Sequence, residues 1–278
     1  MFKGRNLVIA TKHSKEEVIA PLLENELGVH CFADTKFDTD VLGTFSGEIE
    51  RKLDPLSAVR EKCLRAMDLN NVDLGIANEG SFGPHPSIYF VPADDEIVLF
   101  IDKTNNIEII SREISTDTNF KAQYIKSEKE LMDFANKALF PSHALILRNA
   151  KEEQVEIHKG VQNQEKLISL FHLMMEKYGQ VYVETDMRAM YNPSRMNVIE
   201  KATQKLIDKI KDTCPQCSFP GFDISDVQRG LPCSLCGSPT NTVLAYLKKC
   251  KSCGYESRIL FPDQKTNEDP MYCDVCNP

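Results

Sequence analysis

The stretch Thr242–Phe261, TVLAYLKKCKSCGYESRILF, decides the fold of the C-terminal part of the chain. Strand-like runs, Thr242–Lys248 and Tyr255–Phe261, lie on both sides of a Cys-x-x-Cys pair. The pair, Cys250 and Cys253, is therefore predicted at the tip of a β-hairpin. Two thiolates at this spacing reach the same metal ion from one tight turn, an arrangement typical of a zinc ribbon.

Eight of the ten cysteines lie after residue 213, and all eight form such pairs. Two turns complete a tetrahedral shell of four sulfurs, so eight thiolates predict two structural Zn2+ ions. A redox motif or iron–sulfur ligation is the alternative, and four separate pairs flanked by turn residues favour zinc. Cys31 and Cys63 stand outside the pairs and are expected to take no part. The pairs are Cys214 with Cys217, Cys233 with Cys236, Cys250 with Cys253, and Cys273 with Cys276.

The spacings of the four turns are compatible with more than one pairing. Sequential pairing joins the first turn to the second and the third to the fourth, and a nested or crossed pairing fits nearly as well. So short a tail cannot build a large core, and the metal must supply its stability. Removing zinc is therefore expected to unfold it.

Length and charge bound the class of protein. The chain has 278 residues, 42% of them hydrophobic and 27% charged, enough for one large domain or two ordinary ones. No apolar run is long enough to cross a membrane, and the first residues contain no signal-peptide region, so we expect a cytoplasmic protein without a membrane partner. The net charge of −8 disfavours nucleic acid, although Lys248, Lys249 and Lys251 form a small basic cluster.

The N-terminal part begins with a strand, a turn and a helix. Leu7–Ala10 is an apolar run, and an amphipathic stretch follows from Glu16 to Leu27. Such a turn at the carboxyl end of a strand presents backbone N–H groups and a positive helix end to an anion. Thr11, Lys12 and Lys15 add a hydroxyl and two ammonium groups there.

A second polar position follows a later buried strand. Asp54 is predicted to cap a helix, after which Asp73–Glu79 forms a strand that ends in a Gly/Pro-rich loop up to Pro86. A carboxylate at such a strand end is where α/β enzymes hold reacting groups, which makes Glu79 a candidate. Consecutive strands Ile88–Pro92 and Glu96–Asp102 then begin an antiparallel meander.

These elements predict two domains. Residues 1–212 form an α/β body with a mixed sheet, because the opening strand–helix units favour parallel pairing and the meander requires antiparallel pairing. A long helix from Pro193 to about Asp212 leads into the first cysteine turn. Residues 213–278 form a double zinc-ribbon module with two zinc sites of four cysteines each.

Three runs resemble an uncharacterised bacterial family with an α/β body and a cysteine-rich tail. They are EGSFGPHPS at 79–87, ETDMRAMYNPSRM at 184–196 and the terminal CNP at 276–278.

The first 110 residues more remotely resemble the inosine and xanthosine triphosphate pyrophosphatases, the non-canonical purine NTPases. Ala10–Lys15 is similar to their S-x-N-x-x-K, Val59–Cys63 to their helix motif N-A-x-x-K-A, and Gly75–Gly80 to their G-I-E-G. The resemblance implies that Lys15 meets the triphosphate. It also makes Lys62 a second basic residue and Glu79 the acidic catalytic residue.

The resemblance implies a Mg2+-dependent phosphoanhydride hydrolase acting on a nucleoside triphosphate. Cleavage requires Mg2+ held by carboxylates, here Glu79 with Glu48 or Glu50, and cations that face the phosphates. Thr11, Lys12, Lys15, Lys62, Arg188 and Arg195 are the candidate substrate-binding residues.

A non-catalytic protein that binds a nucleotide is the alternative, with the zinc ribbons contacting a nucleic-acid or protein partner. The asparagines of the family motifs fall at Lys12 or His13 and at Ala58, which favours this alternative. The carboxylate of Glu79 beside a Gly/Pro loop favours the enzyme.

Overall fold

A computed structural model describes residues 1–34, 53–151 and 155–278 of the chain. The chain divides into two compact units, Met1–Leu206 and Ile207–Pro278, and the division falls inside the last helix. Across these ranges, none of the helices combines the length and the apolarity that a membrane span requires. Each unit has its own sheet structure, as the α/β class with a cysteine-rich tail requires.

The first unit alternates strands and helices. Its strands are β1 (Asn6–Ala10), β2 (His30–Ala33), β3 (Leu74–Pro84), β4 (Pro92–Asp102), β5 (Ile107–Ser115), β6 (Ala122–Ile125), β7 (Leu145–Arg148), β8 (Ile157–Val161) and β9 (Val181–Thr185). Its helices are α1 (Glu16–Leu27), α2 (Pro55–Asn70), α3 (Glu128–Lys137), α4 (Gln164–Tyr178) and α5 (Pro193–Lys211), the last of which continues into the second unit.

The first sheet is mixed, as the sequence predicts. Its strand order is β2-β1-β3-β4-β5, with β1 parallel to both β2 and β3 and with β3, β4 and β5 in an antiparallel meander. The chain leaves β1 toward β2 on one side and later returns to β3 on the other. This reversal is a topological switch point, and α/β proteins bind ligands at the carboxyl ends of the strands there.

One face of this sheet packs against α2. Val59, Cys63 and Met67 of the helix join Ala77 and Leu99 of the sheet in a fully buried core. Alternate residues of each strand point to the opposite face, where Ser111 Oγ donates to the carbonyl of Ala202 in α5 at 2.7 Å. The sheet therefore carries α2 on one face and α5 on the other.

A second sheet in the same unit was missed from the sequence. It is antiparallel in the order β6-β9-β7-β8, and α3 and α4 pack against it through Leu131, Phe134, Phe171 and Met174. Two of its short strands, β6 and β8, have the sequences AQYI and IHKGV, which show no apolar alternation that would indicate a strand.

Two predictions around the β3–β4 hairpin are wrong. The loop expected after Glu79 is strand, because β3 continues to Pro84 and pairs with β4 along its whole length. The strand expected at Ile88–Pro92 is mainly the connecting turn, in which Val91 N donates to the carbonyl of Ile88 at 2.9 Å. The prolines are tolerated because Pro84 and Pro92 form the last pair of the ladder.

The second unit contains a three-stranded antiparallel sheet with little core. Its strands, in the order β10-β11-β12, are β10 (Ile224–Arg229), β11 (Val243–Lys249) and β12 (Glu256–Leu260). The turn between β11 and β12 carries Cys250 and Cys253, so the predicted hairpin is confirmed. Among the residues of these three strands only Ala245 is buried.

The glycines of the first unit allow a graded test of its packing. Gly160 has φ +68°, and a Cβ there would lie 2.8 Å from Tyr191 Cζ. Gly179 has φ +72° with open space around it, and Gly83 has open space and no positive φ. We expect Gly83→Ala to leave the free energy of unfolding within about 0.5 kcal/mol. Gly179→Ala should lower the free energy of unfolding by about 1–2 kcal/mol, because alanine is disfavoured in the left-handed conformation.

Gly160→Ala should cost about 1–3 kcal/mol beyond the penalty at Gly179, because the ring of Tyr191 must also move. Urea unfolding of the three variants measures these differences. Equal losses for Gly160→Ala and Gly179→Ala would show that the contact with Tyr191 carries no cost.

Candidate functional site

Polar residues of the first unit gather at the carboxyl end of β1. This strand ends at Ala10, opposite Ala77, while β3 continues beyond that pair. The edge of β3 from Asn78 onward is therefore not covered by β1, and a side chain from the start of α1 reaches it. The polar group lies at the switch point of the sheet, as the sequence analysis expects of a ligand site.

The turn that joins β1 to α1 has a strained backbone. His13 and Ser14 have φ values of 68° and 59°, in the left-handed region that non-glycine residues rarely adopt. The N-cap of α1 is Lys15, whose side chain does not cap the helix and is only 7% exposed. Strain of this kind is concentrated at functional sites, where the surrounding structure maintains it.

A chain of hydrogen bonds starts at Lys15. Its Nζ donates to Asn78 Oδ1 at 2.7 Å, and Asn78 Nδ2 donates to Glu96 Oε2 at 2.8 Å. Arg195 Nε donates to the second carboxylate oxygen, Glu96 Oε1, at 2.7 Å. All four side chains are buried. The chain links the start of α1 to β3, β4 and α5, so the environment of Lys15 depends on all four elements.

Gly80 allows the arginine to approach this carboxylate. It lies opposite Glu96 in the β3–β4 pairing, and a Cβ at position 80 would overlap Glu96 Oε1 and Arg195 Nη2. Arg195 Nη1 donates to the carbonyl of Met187 at 2.5 Å, and its Cζ lies 5.1 Å from the centroid of the Phe82 ring. Arg195 is thus fixed by contacts on several sides and is 1% exposed.

Burial and neighbouring charges shift the pKa values of this cluster. Burial lowers the pKa of Lys15 to about 7, and repulsion from Arg195 and Lys62 contributes. Burial raises the pKa of Asp94 to about 8, and the negative charge of Glu96 adds to the rise. Burial opposes ionisation of Glu96, but Arg195 and Lys15 outweigh it and hold its pKa below the usual value. Asp94 is therefore largely protonated at neutral pH.

The second predicted pair lies on the other face of β3. Adjacent residues of a strand point to opposite faces, so Asn78 faces Glu96 while Glu79 faces α2. Lys62 of α2 forms an ion pair with Glu79, and their side chains are 11% and 6% exposed. The charges of both also act on the pKa of Lys15. The structure thus brings Lys62 and Glu79 into contact and keeps Lys15 within electrostatic reach of them.

Arg188 is bound to a buried carboxylate. Its Nε donates to Asp186 Oδ1 at 3.0 Å, its Nη2 donates to Asp186 Oδ2 at 2.6 Å, and its guanidinium lies 4.6 Å from the Tyr191 ring centroid. Gly160 N also donates to Asp186 Oδ2 at 3.0 Å. These contacts explain Arg188 as a residue that fixes the turn before α5.

The remaining predicted residues contribute less to the cluster. Thr11 is buried, and its hydroxyl donates to the carbonyl of Lys12 at 3.0 Å. The side chain of Lys12 is half-buried. Glu48 and Glu50 lie outside the described residues, so their proposed part in a Mg2+ site stays a prediction.

Sequence reasoning missed Asn78, Asp94 and Glu96. Each is a polar residue that is buried within a strand of the first sheet. Asp94 and Glu96 are two residues apart, so they share a face of β4. That spacing in a strand with an apolar run, Ile97–Ile101, is the signal that could have found them.

The first turn of α5, which carries Arg195, is fixed by two side-chain caps. Arg195 N donates to Asn192 Oδ1 at 3.0 Å, and Ser194 N donates to His143 Nε2 at 3.2 Å. Ser194 Oγ lies 2.9 Å from the same ring nitrogen. A nitrogen that accepts a backbone N–H carries no proton, so the imidazole is neutral with its proton on Nδ1. Burial lowers the pKa of His143, in agreement with the neutral form.

The cysteines of the second unit form two clusters in crossed order. The first turn joins the third, and the second joins the fourth. Within each cluster the four Sγ atoms lie within 4.8 Å of one another. The crossed pairing is one of those that the spacings left open. Centre A contains Cys214, Cys217, Cys250 and Cys253, and centre B contains Cys233, Cys236, Cys273 and Cys276.

The sulfur geometry of both centres fits a tetrahedral metal site. Sγ–Sγ distances across the turns are 3.7 and 3.6 Å in centre A and 3.8 and 3.6 Å in centre B. A tetrahedral shell with Zn–S bonds of about 2.3 Å has edges of about 3.8 Å. Both centres are therefore compatible with structural zinc.

The four turns share one backbone pattern. In each, the residue after the second cysteine donates its N–H to the carbonyl of the first cysteine, at 2.8 to 3.1 Å. Ser218, Gly237 and Gly254 hold this position with positive φ, and Asn277 holds it in the fourth turn. This pattern directs both thiols of a turn to one point, which is what two-turn metal ligation requires.

The remaining cysteines take no part in either cluster. Cys63 is buried in the core between α2 and the first sheet, and Cys31 is half-buried in β2. Among the described residues, groups of three or more side chains arranged to hold a metal are limited to the two cysteine clusters.

Comparison with known sequences identifies the family. The model of the family described as "Domain of unknown function (DUF6671)" matches residues 62–278, and the chain belongs to this family. The match begins inside α2 and covers β3, both cysteine centres and the cluster residues Asn78, Asp94, Glu96 and Arg195, whereas Lys15 precedes it. No curated protein matches the chain, and the resemblance to the triphosphate pyrophosphatases gains no support from this comparison.

The cap formed by His143 predicts a pH-dependent stability. Its pKa is lowered in the folded protein, so the unfolded chain binds the proton first as the pH falls below about 6.5. The stabilisation is complete above this pH and is lost below it, by at most about 1.4 kcal/mol per pH unit. We expect the free energy of unfolding to fall less between pH 7.5 and 5.5 in His143→Gln than in the wild type.

Urea unfolding at both pH values measures this difference. His30→Gln is the control, because it removes an imidazole from an exposed position in β2. An equal fall in wild type and His143→Gln would contradict the neutral cap.

Proposed function

We propose that this member of the DUF6671 family binds the phosphate chain of a nucleotide at the Lys15 cluster and holds two structural zinc ions in its C-terminal unit. The observation that carries the ligand proposal is that Lys15 is a buried cation whose Nζ donates to a neutral amide, Asn78 Oδ1. Buried cations are normally matched by a carboxylate. An anionic ligand would supply that match.

The other charges of the cluster support an anion. When Lys15 is protonated, three cationic side chains face two carboxylates, because the third acid, Asp94, is largely protonated at neutral pH. A surplus of positive charge is thus buried at the switch point of a chain whose net charge is −8. The cations are Lys15, Lys62 and Arg195, and the carboxylates are Glu79 and Glu96.

The zinc proposal rests on the donor set. Four thiolates at tetrahedral spacing are soft ligands that select zinc or iron, and a closed shell without an open position is typical of a structural zinc site. The three strands between the centres bury little, so the metal replaces the core that they lack. Both ions hold structure and leave the chemistry to the first unit.

The metal content of the protein and of its cysteine variants gives the first test. We expect elemental analysis to find about two zinc ions per chain, one lost in Cys217→Ser and the other in Cys236→Ser. Cys63→Ala should retain both ions, since Cys63 lies in neither cluster. Chelation should abolish the dispersed amide signals of β10–β12 in a ¹H–¹⁵N NMR spectrum. Iron, or no metal in freshly purified protein, would contradict the proposal.

The ligand proposal predicts opposite effects of Lys15→Met on binding and stability. We expect the affinity for inosine triphosphate, ATP and inorganic tripolyphosphate to fall by about 10- to 100-fold, because a charge-assisted hydrogen bond is lost. We also expect a higher free energy of unfolding, because methionine removes a buried charge. Lys129→Met, at an exposed position of α3, is the matched control for both measurements.

The pH dependence of binding provides a sign test. The pKa of free Lys15 is about 7, and a bound anion raises it, so binding takes up a proton above pH 7. Affinity should therefore fall as the pH rises through 7, by at most about tenfold per unit from this group. Ionisation of Asp94 near pH 8 acts in the same direction. Isothermal titration calorimetry of wild type and Lys15→Met separates the contribution of Lys15 from that of Asp94. An equal pH dependence of affinity in both proteins would show that Lys15 does not contribute to it.

Hydrolysis of the bound nucleotide is the second candidate function, favoured by the buried carboxyl of Asp94, whose pKa burial raises to about 8 and on which the charges of Arg195 and Lys15 act. In that reaction a water oxygen bonds to phosphorus and the bond to the pyrophosphate oxygen breaks. Asp94 donates its proton to the leaving oxygen, and a proton from the attacking water replaces it. Mg2+ would be held by Glu79 with Glu48 or Glu50, of which Glu79 is the one among the described residues, and there it is ion-paired with Lys62.

Pyrophosphate release from standard and deaminated nucleoside triphosphates with Mg2+ tests the enzyme. Glu79→Gln should keep nucleotide affinity and lose turnover, because a metal-bound carboxylate acts on charge that develops in the transition state. If the wild type binds nucleotides but releases no pyrophosphate, its function is binding and not hydrolysis.

A further inference from the structure

Centre B exposes apolar side chains on both of its turns. Leu235 and Val275 occupy the third position of their Cys-x-x-Cys turns and are 74% and 66% exposed. Their neighbouring cysteines belong to the same cluster, so both residues lie beside centre B. Large exposed apolar side chains grouped at one point indicate an interaction surface more often than scattered ones do.

Two further apolar residues extend this surface. Met271 and Tyr272 immediately precede the last turn, and each is 61% exposed. Their backbone is fixed, since Met271 N donates to Asp269 Oδ1 at 2.8 Å and Asn277 Nδ2 donates to the carbonyl of Met271 at 2.9 Å. The centre B face is the set Leu235, Met271, Tyr272 and Val275, presented on a rigid backbone.

The equivalent positions of centre A are polar. The third residues of its two turns are Gln216 and Ser252, and its surroundings contain the basic residues Lys248, Lys249 and Lys251. Identical turn geometry therefore carries different side chains at the two centres. Metal ligation does not require the apolar residues of centre B, since centre A has the same ligand geometry without them.

The surroundings of centre B are acidic. Residues 261–278 contain four acidic residues and one lysine, and residues 230–242 contain no charged residue. Four thiolates exceed the charge of one zinc ion by two negative charges. A groove of about 480 Å³ borders Met271 and Tyr272, and Asp263 and Asp274 also line it. Its cation, Arg229, donates to the carbonyl of Asn241 at 2.5 Å.

We propose that the centre B face is a docking site for a protein segment that carries apolar anchor residues flanked by lysine or arginine. The apolar side chains provide the anchoring contact, and the acidic rim selects a cationic partner. The same negative charge repels a nucleic-acid backbone. A second copy of this chain would bring two acidic rims together, which like-charge repulsion opposes.

A panning experiment tests this inference with the full chain. Random dodecapeptides displayed on phage are selected on the immobilised protein, and the affinities of enriched peptides are then measured in solution. We expect enriched peptides to contain large apolar residues and a net positive charge. Their affinity for Leu235→Gln/Val275→Gln should fall about tenfold or more. Gln216→Ala/Ser252→Ala, the same positions of centre A, should bind them as the wild type does.

The inference rests on the proposed zinc content, because centre B must hold its metal to present the two turns. Metal analysis of the panned sample separates the two proposals. A chain without metal overturns both, and a loaded chain that enriches no peptide overturns only the docking site. Four other outcomes would also overturn the docking site. The first two are enrichment of acidic peptides and equal binding of peptides to the two double variants. The other two are binding of oligonucleotides, or self-association, that is lost in Leu235→Gln/Val275→Gln.

Discussion

The buried carboxylate of Glu96 constrains the arrangement of the first unit. A fully buried charge is tolerated only where opposite charge and hydrogen bonds compensate for lost hydration. Glu96 obtains this from Arg195 in α5 and Asn78 in β3, and Asn78 in turn accepts from Lys15 at the start of α1. Glu96 therefore fixes the first turn of α5, the Asn78 side chain of β3 and, through Asn78, the start of α1. Gly80 is required in the same place, since a larger residue would separate the two charges.

The second unit solves a different problem, because its sheet buries almost nothing. Its hydrophobic cluster of buried residues contains Phe222 and two cysteines, Cys214 and Cys250, with Phe219 against them. The chain enters at centre A, passes along β10 to centre B, returns along β11 to centre A and leaves along β12 toward centre B. The crossed pairing follows from this path, since turns at the same end of the sheet meet. Sequential pairing would require turns from opposite ends to share one metal.

Sequence reasoning succeeded where one local rule decides the outcome. The hydrophobic period identified α1, the cap at Asp54 identified α2, and the spacing of the cysteines identified the eight ligands. It did not resolve the pairing of the turns, which depends on the path of the sheet. It ended β3 too early because Gly80, Gly83 and Pro84 favour a loop locally, whereas eleven paired residues of β4 outweigh that preference. Asp94 and Glu96 were missed for a related reason: their role depends on Arg195, about a hundred residues away, and no local pattern contains that partner.

The three cations of the cluster differ in how far the protein already compensates them. Arg195 has the carboxylate of Glu96, and Lys62 has that of Glu79. Lys15 donates to a neutral amide, and its burial and the repulsion from Arg195 and Lys62 outweigh the attraction of Glu96 and Glu79. A sequence selected for stability alone would replace such a lysine with an uncharged residue, because most of its effect on folding is unfavourable. Its position at a switch point, beside a strained turn, is coherent if the missing negative charge arrives with a ligand. In the proposed site the two paired cations would support Lys15, and the ligand would compensate the charge of Lys15.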